Sequence, residues 1–283
     1  RDMYSPVIGT LPTDADSLRM TLNMRNSQYA TYKNYTHKMS VGVRYNSKNL
    51  QFHAAVNFEP RKTKLEYQKD RLDTVVTRNV FNVSPNVRLR YKISNTSEMN
   101  IRYRGSSSQP SMTDLLDVTD DSNPLYISKG NPGLKPSWNN YFELFYNNYI
   151  VKSQTGWMAR LTFNQTSNSI SNAMHYDENT GVRTTRPENI NGNWNTDGDF
   201  MFNTSFGKNK NWTIGSYTGY NYSNNVGYVS TGNDTTSSKN TTKNLTLREH
   251  LRLTFRTGLF EFGVRGGVSY QHAKNELQTN ANL

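Results

Sequence analysis

Cysteine is absent from the 283 residues, which fits the cell envelope and removes disulfides from the argument. No apolar run reaches about 18 residues, so no transmembrane helix is encoded. That exclusion does not extend to a transmembrane β-barrel, whose alternating strands average out as hydrophilic, and the mean hydropathy of −0.83 is compatible with one. Acidic residues are few: 22 Asp and Glu stand against 33 Lys and Arg, for a net charge of +11. Nucleic acid is the usual partner of so basic a chain, yet the cations are spread singly instead of clustering, which argues against it. There is no secretory signal and the chain opens on Arg1, as expected of a mature or excised portion of something longer. Enzyme signatures are missing too. His37, His53, His175, His250 and His272 stand alone, with no His-Glu-x-x-His, Gly-x-Ser-x-Gly or phosphate loop, so no catalytic residue is assigned. A Ser-His-Asp site gathered from distant strands is the alternative that spacing leaves open.

What is abundant is strand and turn composition: 18 Tyr, 12 Phe and 4 Trp beside many Asn, Thr and Ser. Residues 1–17 read as a loop, and alternation starts with Leu18, Met20, Leu22 and Met24. Five hairpins then follow one plan. Met39, Val41, Val43 and Tyr45 fold onto Val56, Ala54, Phe52 and Leu50. Val87, Leu89, Tyr91 and Ile93 fold onto Met99, Ile101 and Tyr103, with Tyr91 opposite Ile101. Phe142, Leu144 and Tyr146 fold onto Leu161, Ala159 and Trp157. Phe200, Phe202, Thr204 and Phe206 fold onto Thr218, Ser216, Ile214 and Trp212. Leu247, Leu251, Leu253 and Phe255 fold onto Val268, Val264, Phe262 and Phe260.

Short turns at 46–49, 94–98, 147–156, 207–211 and 256–259 alternate with long polar loops at 61–78, 105–138, 168–192 and 223–243. In a soluble domain such loops would count against the assignment; in an outer-membrane barrel they are expected. Tyr45, Tyr91, Tyr146, Trp157, Phe206, Trp212, Phe255 and Phe260 all fall on the apolar face beside the short turns, as an aromatic girdle at one membrane interface would. The fold class is therefore all-β: an antiparallel up-and-down transmembrane β-barrel spanning 1–283. Roughly eleven strands are expected, an odd number that suits part of a larger barrel. The alternatives are a passive porin-like channel and a soluble or surface β-protein that binds glycan.

Between the strand-like segments Ile101–Arg104 and Trp138 onward lies Lys129-Gly130-Asn131-Pro132-Gly133-Leu134-Lys135-Pro136. Two prolines pin φ, and Gly130 and Gly133 permit positive φ, so the stretch reads as a rigid corner. Together with Tyr103, Ser107-Ser108-Gln109-Pro110-Ser111, Leu115, Asn123-Pro124-Leu125 and the strand Tyr141–Tyr146, this corner resembles the barrel region of TonB-dependent outer-membrane receptors. Ser137 stands where that family commonly has Glu. The resemblance implies a barrel of about 22 strands closed inside by a plug that contacts TonB, in the outer membrane of a Gram-negative bacterium. It implies nutrient uptake of an iron chelate, a glycan or a peptide. Membrane lipid, the protein's own plug, TonB and a surface lipoprotein would be its partners. Neither plug nor TonB box is found in the sequence.

The face left after the apolar one is assigned is basic in one hairpin: Arg88 and Arg90 face Arg104 and Arg102 by the expected register. These four arginines are assigned to an acidic surface, either a plug or an anionic ligand; the competing reading is a hydrated wall neutralised by neighbouring-strand carboxylates. Glu143 and Arg160 are expected opposite one another. Glu249 falls on the apolar face, which suggests a bulge or a register error. His175, Tyr176 and Trp194, near the third long loop, are candidate ligand contacts. Asp114, Asp117, Asp120 and Asp121 lack EF-hand spacing, as do Asp197 and Asp199, so neither a metal nor a cofactor is assigned.

Overall fold

The computed structural model describes residues 2–5, 8–11, 19–22, 28–69, 72–229 and 237–276. Eighteen strands and no helix are found among them. The N-terminal region contributes β1 (Asp2–Ser5), β2 (Ile8–Leu11) and β3 (Arg19–Leu22), so strand replaces part of the expected 1–17 loop. Leu18 and Met24 lie outside the described residues. There follow β4 (Gln28–Thr36), β5 (Met39–Asn46), β6 (Leu50–Lys69), β7 (Leu72–Ser94) and β8 (Ser97–Ser108). The next are β9 (Thr119–Asn123), β10 (Tyr126–Lys129), β11 (Ser137–Ile150) and β12 (Thr155–Ser167). The last are β13 (Ser169–Tyr176), β14 (Arg183–Ile190), β15 (Asn193–Phe206), β16 (Trp212–Val229), β17 (Ser238–Thr257) and β18 (Phe260–Asn275).

One large antiparallel sheet runs β1-β4-β6-β7-β8-β11-β12-β15-β16-β17-β18, with β5 also on β6, and among the described residues no pairing closes it. A second sheet, β13-β14-β10-β9, is built from the excursions between β8 and β11 and between β12 and β15. The expected loop at 61–78 is mostly strand, since β6 and β7 pair from Leu50–Tyr91 out to Lys69–Leu72; residues 70 and 71 lie outside the described set. β16 and β17 likewise pair out to Val229–Ser238, well into the expected 223–243 loop, and residues 230–236 lie outside the described set. The 23 residues of β7 reach about 75 Å, where crossing a bilayer takes about 9–11 residues. Along these extensions the apolar alternation fades while the backbone ladder continues, so they look like loop in sequence. Of the expected short turns, 147–150 and 155–156 belong to β11 and β12, and 97–98 to β8.

Every expected hairpin keeps its apolar face, but four of the five are slipped by two residues. Tyr45 pairs with Phe52 instead of Leu50, and Tyr91 with Met99 instead of Ile101. Phe142 pairs with Phe163, and Phe255 with Phe262. Only the Phe206–Trp212 hairpin has the expected register. The cause is turn length. Asn95-Thr96 closes one hairpin in two residues, and Gly258, at φ 54°, with Leu259 closes another.

Two prolines punctuate the wall. β4 and β5 share one register with β6 and are separate only around His37, whose N–H donates to the Pro60 carbonyl at 3.1 Å while Pro60 can return nothing. Pro85 sits where β7 and β8 part: their ladder begins at Asn86–Arg104 and extends only toward the turn. Lys92 donates toward β6, so by strict alternation the Pro85 nitrogen faces β8, where pairing stops.

Beyond that parting, the face of β4–β6–β7 that carries His53 and Arg88 turns apolar and is covered by the chain itself. Ala30, Leu65 and Tyr67 form a buried cluster with Met112 and Leu116 of the excursion, flanked by Tyr32, Val76, Leu115 and Val118. The 129–136 corner ties this segment down. The Gly130 N–H donates to the Val118 carbonyl and the Asn131 N–H to the Asp114 carbonyl. Asn131 Nδ2 donates to the Pro187 carbonyl at 2.9 Å, while its Oδ1 accepts from the Gly133 N–H and from Arg186. Neither Gly130 nor Gly133 uses the positive φ open to glycine. Gly130 is needed for space, because a Cβ there would lie 1.7 Å from the Leu116 carbonyl oxygen.

Candidate functional site

The large sheet has one apolar and one polar face, and the pairing registers place the aromatic and arginine candidates on them. All eight expected girdle aromatics share the apolar face at the short-turn end. Phe206, Trp212 and Phe255 touch in sequence there, with centroids 6.2 and 4.5 Å apart. A second aromatic row crosses the same face at the other end: Tyr103, Phe142, Phe163, Trp194 and Tyr222, with successive centroids 4.7, 6.4, 6.0 and 5.2 Å apart. Trp194 is thus a wall residue, on a different sheet from His175 and Tyr176 of β13. Trp194 and Phe206 stand near the two ends of β15, about 40 Å apart along the strand, or about 30 Å along the normal at the usual tilt. Glu249 does lie on the apolar face, in an unbroken register, and accepts a 2.5 Å hydrogen bond from the Thr218 hydroxyl; neither a bulge nor a register slip accounts for it.

On the polar face one cross-strand row runs Arg44–His53–Arg88–Arg102–Glu143–Thr162–Asp197–Asn221–Thr246–Gln271. The slipped register sets Arg88 opposite Arg102 and Arg90 opposite Asn100, in place of the expected Arg90–Arg102 and Arg88–Arg104 pairs. The four expected arginines still gather, and Arg44 and His53 join them around a concavity of about 770 Å³ that Asn46, Gln51 and Asn86 also line. Two of the arginines are neutralised. Arg90 meets Glu98 at 2.5 Å, and Arg102 meets Glu143 at 3.4 Å. The expected Glu143–Arg160 pair is replaced, since Arg160 stands opposite Phe145 and Asp199. Arg44, Arg88 and Arg104 make no ion pair among the described residues.

Asp197 and Asp199 are in β15, not in a loop, and are satisfied internally. Asp197 accepts from Thr162 Oγ1, Asn195 Nδ2 and Asn221 Nδ2, and Asp199 from the Tyr217 hydroxyl at 2.6 Å. In the smaller sheet, the Arg183 guanidinium sits 5.8 Å from both the Tyr126 and Tyr176 rings, so Tyr176 is engaged by its own neighbour, and His175 lies beside it on β13. Sequence reasoning missed Arg44 and His53 because they belong to another hairpin, joined to the first only through the β6–β7 ladder. Their shared parity with the polar face was the available signal.

A model of the outer membrane protein β-barrel family matches residues 12–282. No curated protein matches the sequence. Among solved structures, the chain is similar to a double mutant of the Serratia marcescens hemophore receptor HasR in complex with its hemophore HasA and heme, at 12% identity and a TM-score of 0.39, over 87% of this chain and 60% of that one. It is similar also to the siderophore receptor PirA from Acinetobacter baumannii, at 11% identity and a TM-score of 0.40, over 93% and 49% of the two chains. The chain therefore spans about half of one of those receptors and three-fifths of the other. With a family model covering nearly all of its sequence, the chain belongs to the outer membrane protein β-barrel family, a family of barrels rather than enzymes, and resides in the outer membrane of a Gram-negative bacterium.

Proposed function

We propose that the chain is part of the wall of a TonB-dependent receptor that takes up a nutrient too large or too scarce for passive pores, such as an iron chelate, a glycan or a peptide. The observation that carries this reading is the double character of one continuous sheet. It is apolar with two aromatic rows on one face and polar on the other, with strands far longer than a bilayer needs and an excursion folded back over the inner face. On this reading the apolar face meets lipid and the eight aromatics at the short turns form the periplasmic girdle. The sheet is an arc of a barrel of about 22 strands, whose lumen holds a plug that engages TonB. Arg88, Arg90, Arg102 and Arg104 contact the plug or an anionic ligand, and His175 and Tyr176 a ligand at the outer surface. The Gly130–Pro136 corner is scaffold, and a surface lipoprotein is a further partner.

The test is uptake by cells carrying the full-length gene, with and without TonB. Uptake that disappears when TonB is deleted is the expected result. Uptake that continues unchanged would sink the receptor reading in favour of a passive channel. A soluble glycan-binding protein would lack heat-modifiable mobility on a gel, which a detergent-extracted barrel shows.

A further inference from the structure

We infer that the polar face of β5–β8 near the short turns is a binding site for a small multivalent anion, a ligand carrying several carboxylate or phosphate groups. The inference deepens the receptor reading by naming a ligand class, and rests on it for the direction in which the site faces. Around the concavity five arginines stand against two glutamates, an excess of three positive charges before His53 is counted. Arg44, His53, Arg88 and Arg102 are directly opposite one another on four successive strands. Such neighbours have Cβ atoms about 4.5–5.5 Å apart, and like charges at that spacing destabilise a sheet.

A wall that needed only solubility would intersperse its charges. The same row does the opposite: from Glu143 through Gln271 it carries no lysine or arginine, and its cations are gathered on β5–β8. Arg90 adds a donor, because its Nε has no acceptor although its terminal nitrogen holds Glu98. Guanidinium forks match carboxylate and phosphate oxygens two at a time, and a volume of about 770 Å³ suits a tricarboxylate or a short polyphosphate. Asn46 and Gln51 border the 47–49 turn, so the site lies at the short-turn mouth, at the opposite end of the wall from the β13-β14-β10-β9 sheet. On the receptor reading that mouth is periplasmic, and the site would hold an anion on its way out of the lumen.

Calorimetric titration of the detergent-extracted full-length protein with citrate, and separately with tripolyphosphate, tests this. At least one of the two should bind, more weakly as salt rises. Replacing Arg44, Arg88 and Arg104 together by Gln should weaken binding by about 100-fold or more, which is about 3 kcal/mol. Glu98→Gln, which frees Arg90, should tighten it a few-fold. Binding of neither anion by the natural protein, or equal binding by the triple variant with its heat-modifiable mobility retained, would overturn the inference. Calorimetry needs no TonB, so lost anion binding with TonB-dependent uptake intact defeats this inference alone. Intact anion binding with TonB-independent uptake defeats only the receptor reading.

Discussion

The two ends of β6 and β7 carry the same inner face to opposite fates. Toward the long excursion, Leu65, Tyr67 and Val76 take the inward positions, and the chain covers them with its own Met112 and Leu116. Toward the short turns, His53, Arg88 and Arg90 take the same positions, and among the described residues nothing covers them. One end is completed inside the chain; the other is left as charge in want of an occupant. A single strand pair can thus hold a folded cap at one end and an open site at the other, with the backbone ladder unchanged between them.

The comparison can be broken at its completed end first. Leu65→Ala removes a fully buried side chain and should cost about 3 kcal/mol, read as a lower denaturant midpoint in detergent. Gly130→Ala should cost about 2 kcal/mol, because the Leu116 carbonyl must move, and should speed proteolytic nicking within 109–118 more than global unfolding. At the open end, Arg102→Gln takes the ion-pair partner from Glu143, whose side chain is 15% exposed, leaving it the Tyr141 hydroxyl at 2.6 Å, and should cost about 1 kcal/mol by the same denaturation. Arg44, Arg88 and Arg104 changed together to Gln should shift stability by no more than about 0.5 kcal/mol, or raise it, since no partner is lost. A large loss would mean that the open end is structural after all.

The smallest effect is expected outside the wall, at the tip joining β13 and β14. Asp177 is held below its ordinary value of 3.8, first by the Thr180 hydroxyl and then by the Asn179 amide. A lowered carboxylate supports its turn fully above the unfolded value and loses that support as pH falls through the folded one. Hydrogen exchange at the Asn179 and Gly181 amides should therefore quicken below about pH 4 relative to the strand amides, and Asp177→Asn should flatten the response.

Much of this wall was legible in sequence because the strand period is two. The parity of Val41, Val43 and Tyr45 against Phe52, Ala54 and Val56 assigns the faces correctly. The same parity cannot separate registers two residues apart. Tyr45 facing Leu50 and Tyr45 facing Phe52 both satisfy it, and only turn geometry decides between them. The four arginines could be found because they alternate within one hairpin, yet their pairing could not, and Glu143 proved to belong to Arg102 across β8–β11 instead of to Arg160. The cap was illegible. Leu65 and Tyr67 look like stray apolar residues in a polar stretch until Leu116, far along the chain, is brought onto them.

Pro85 gives the wall a seam that can be moved by one substitution. A residue able to donate from that position could carry the β7–β8 ladder upward, where Gln109 now reaches in from the end of β8 to Asn82 at 2.7 Å. Extending the ladder would close the doorway through which the cap enters. The height at which β7 and β8 part is thus set by a missing hydrogen atom.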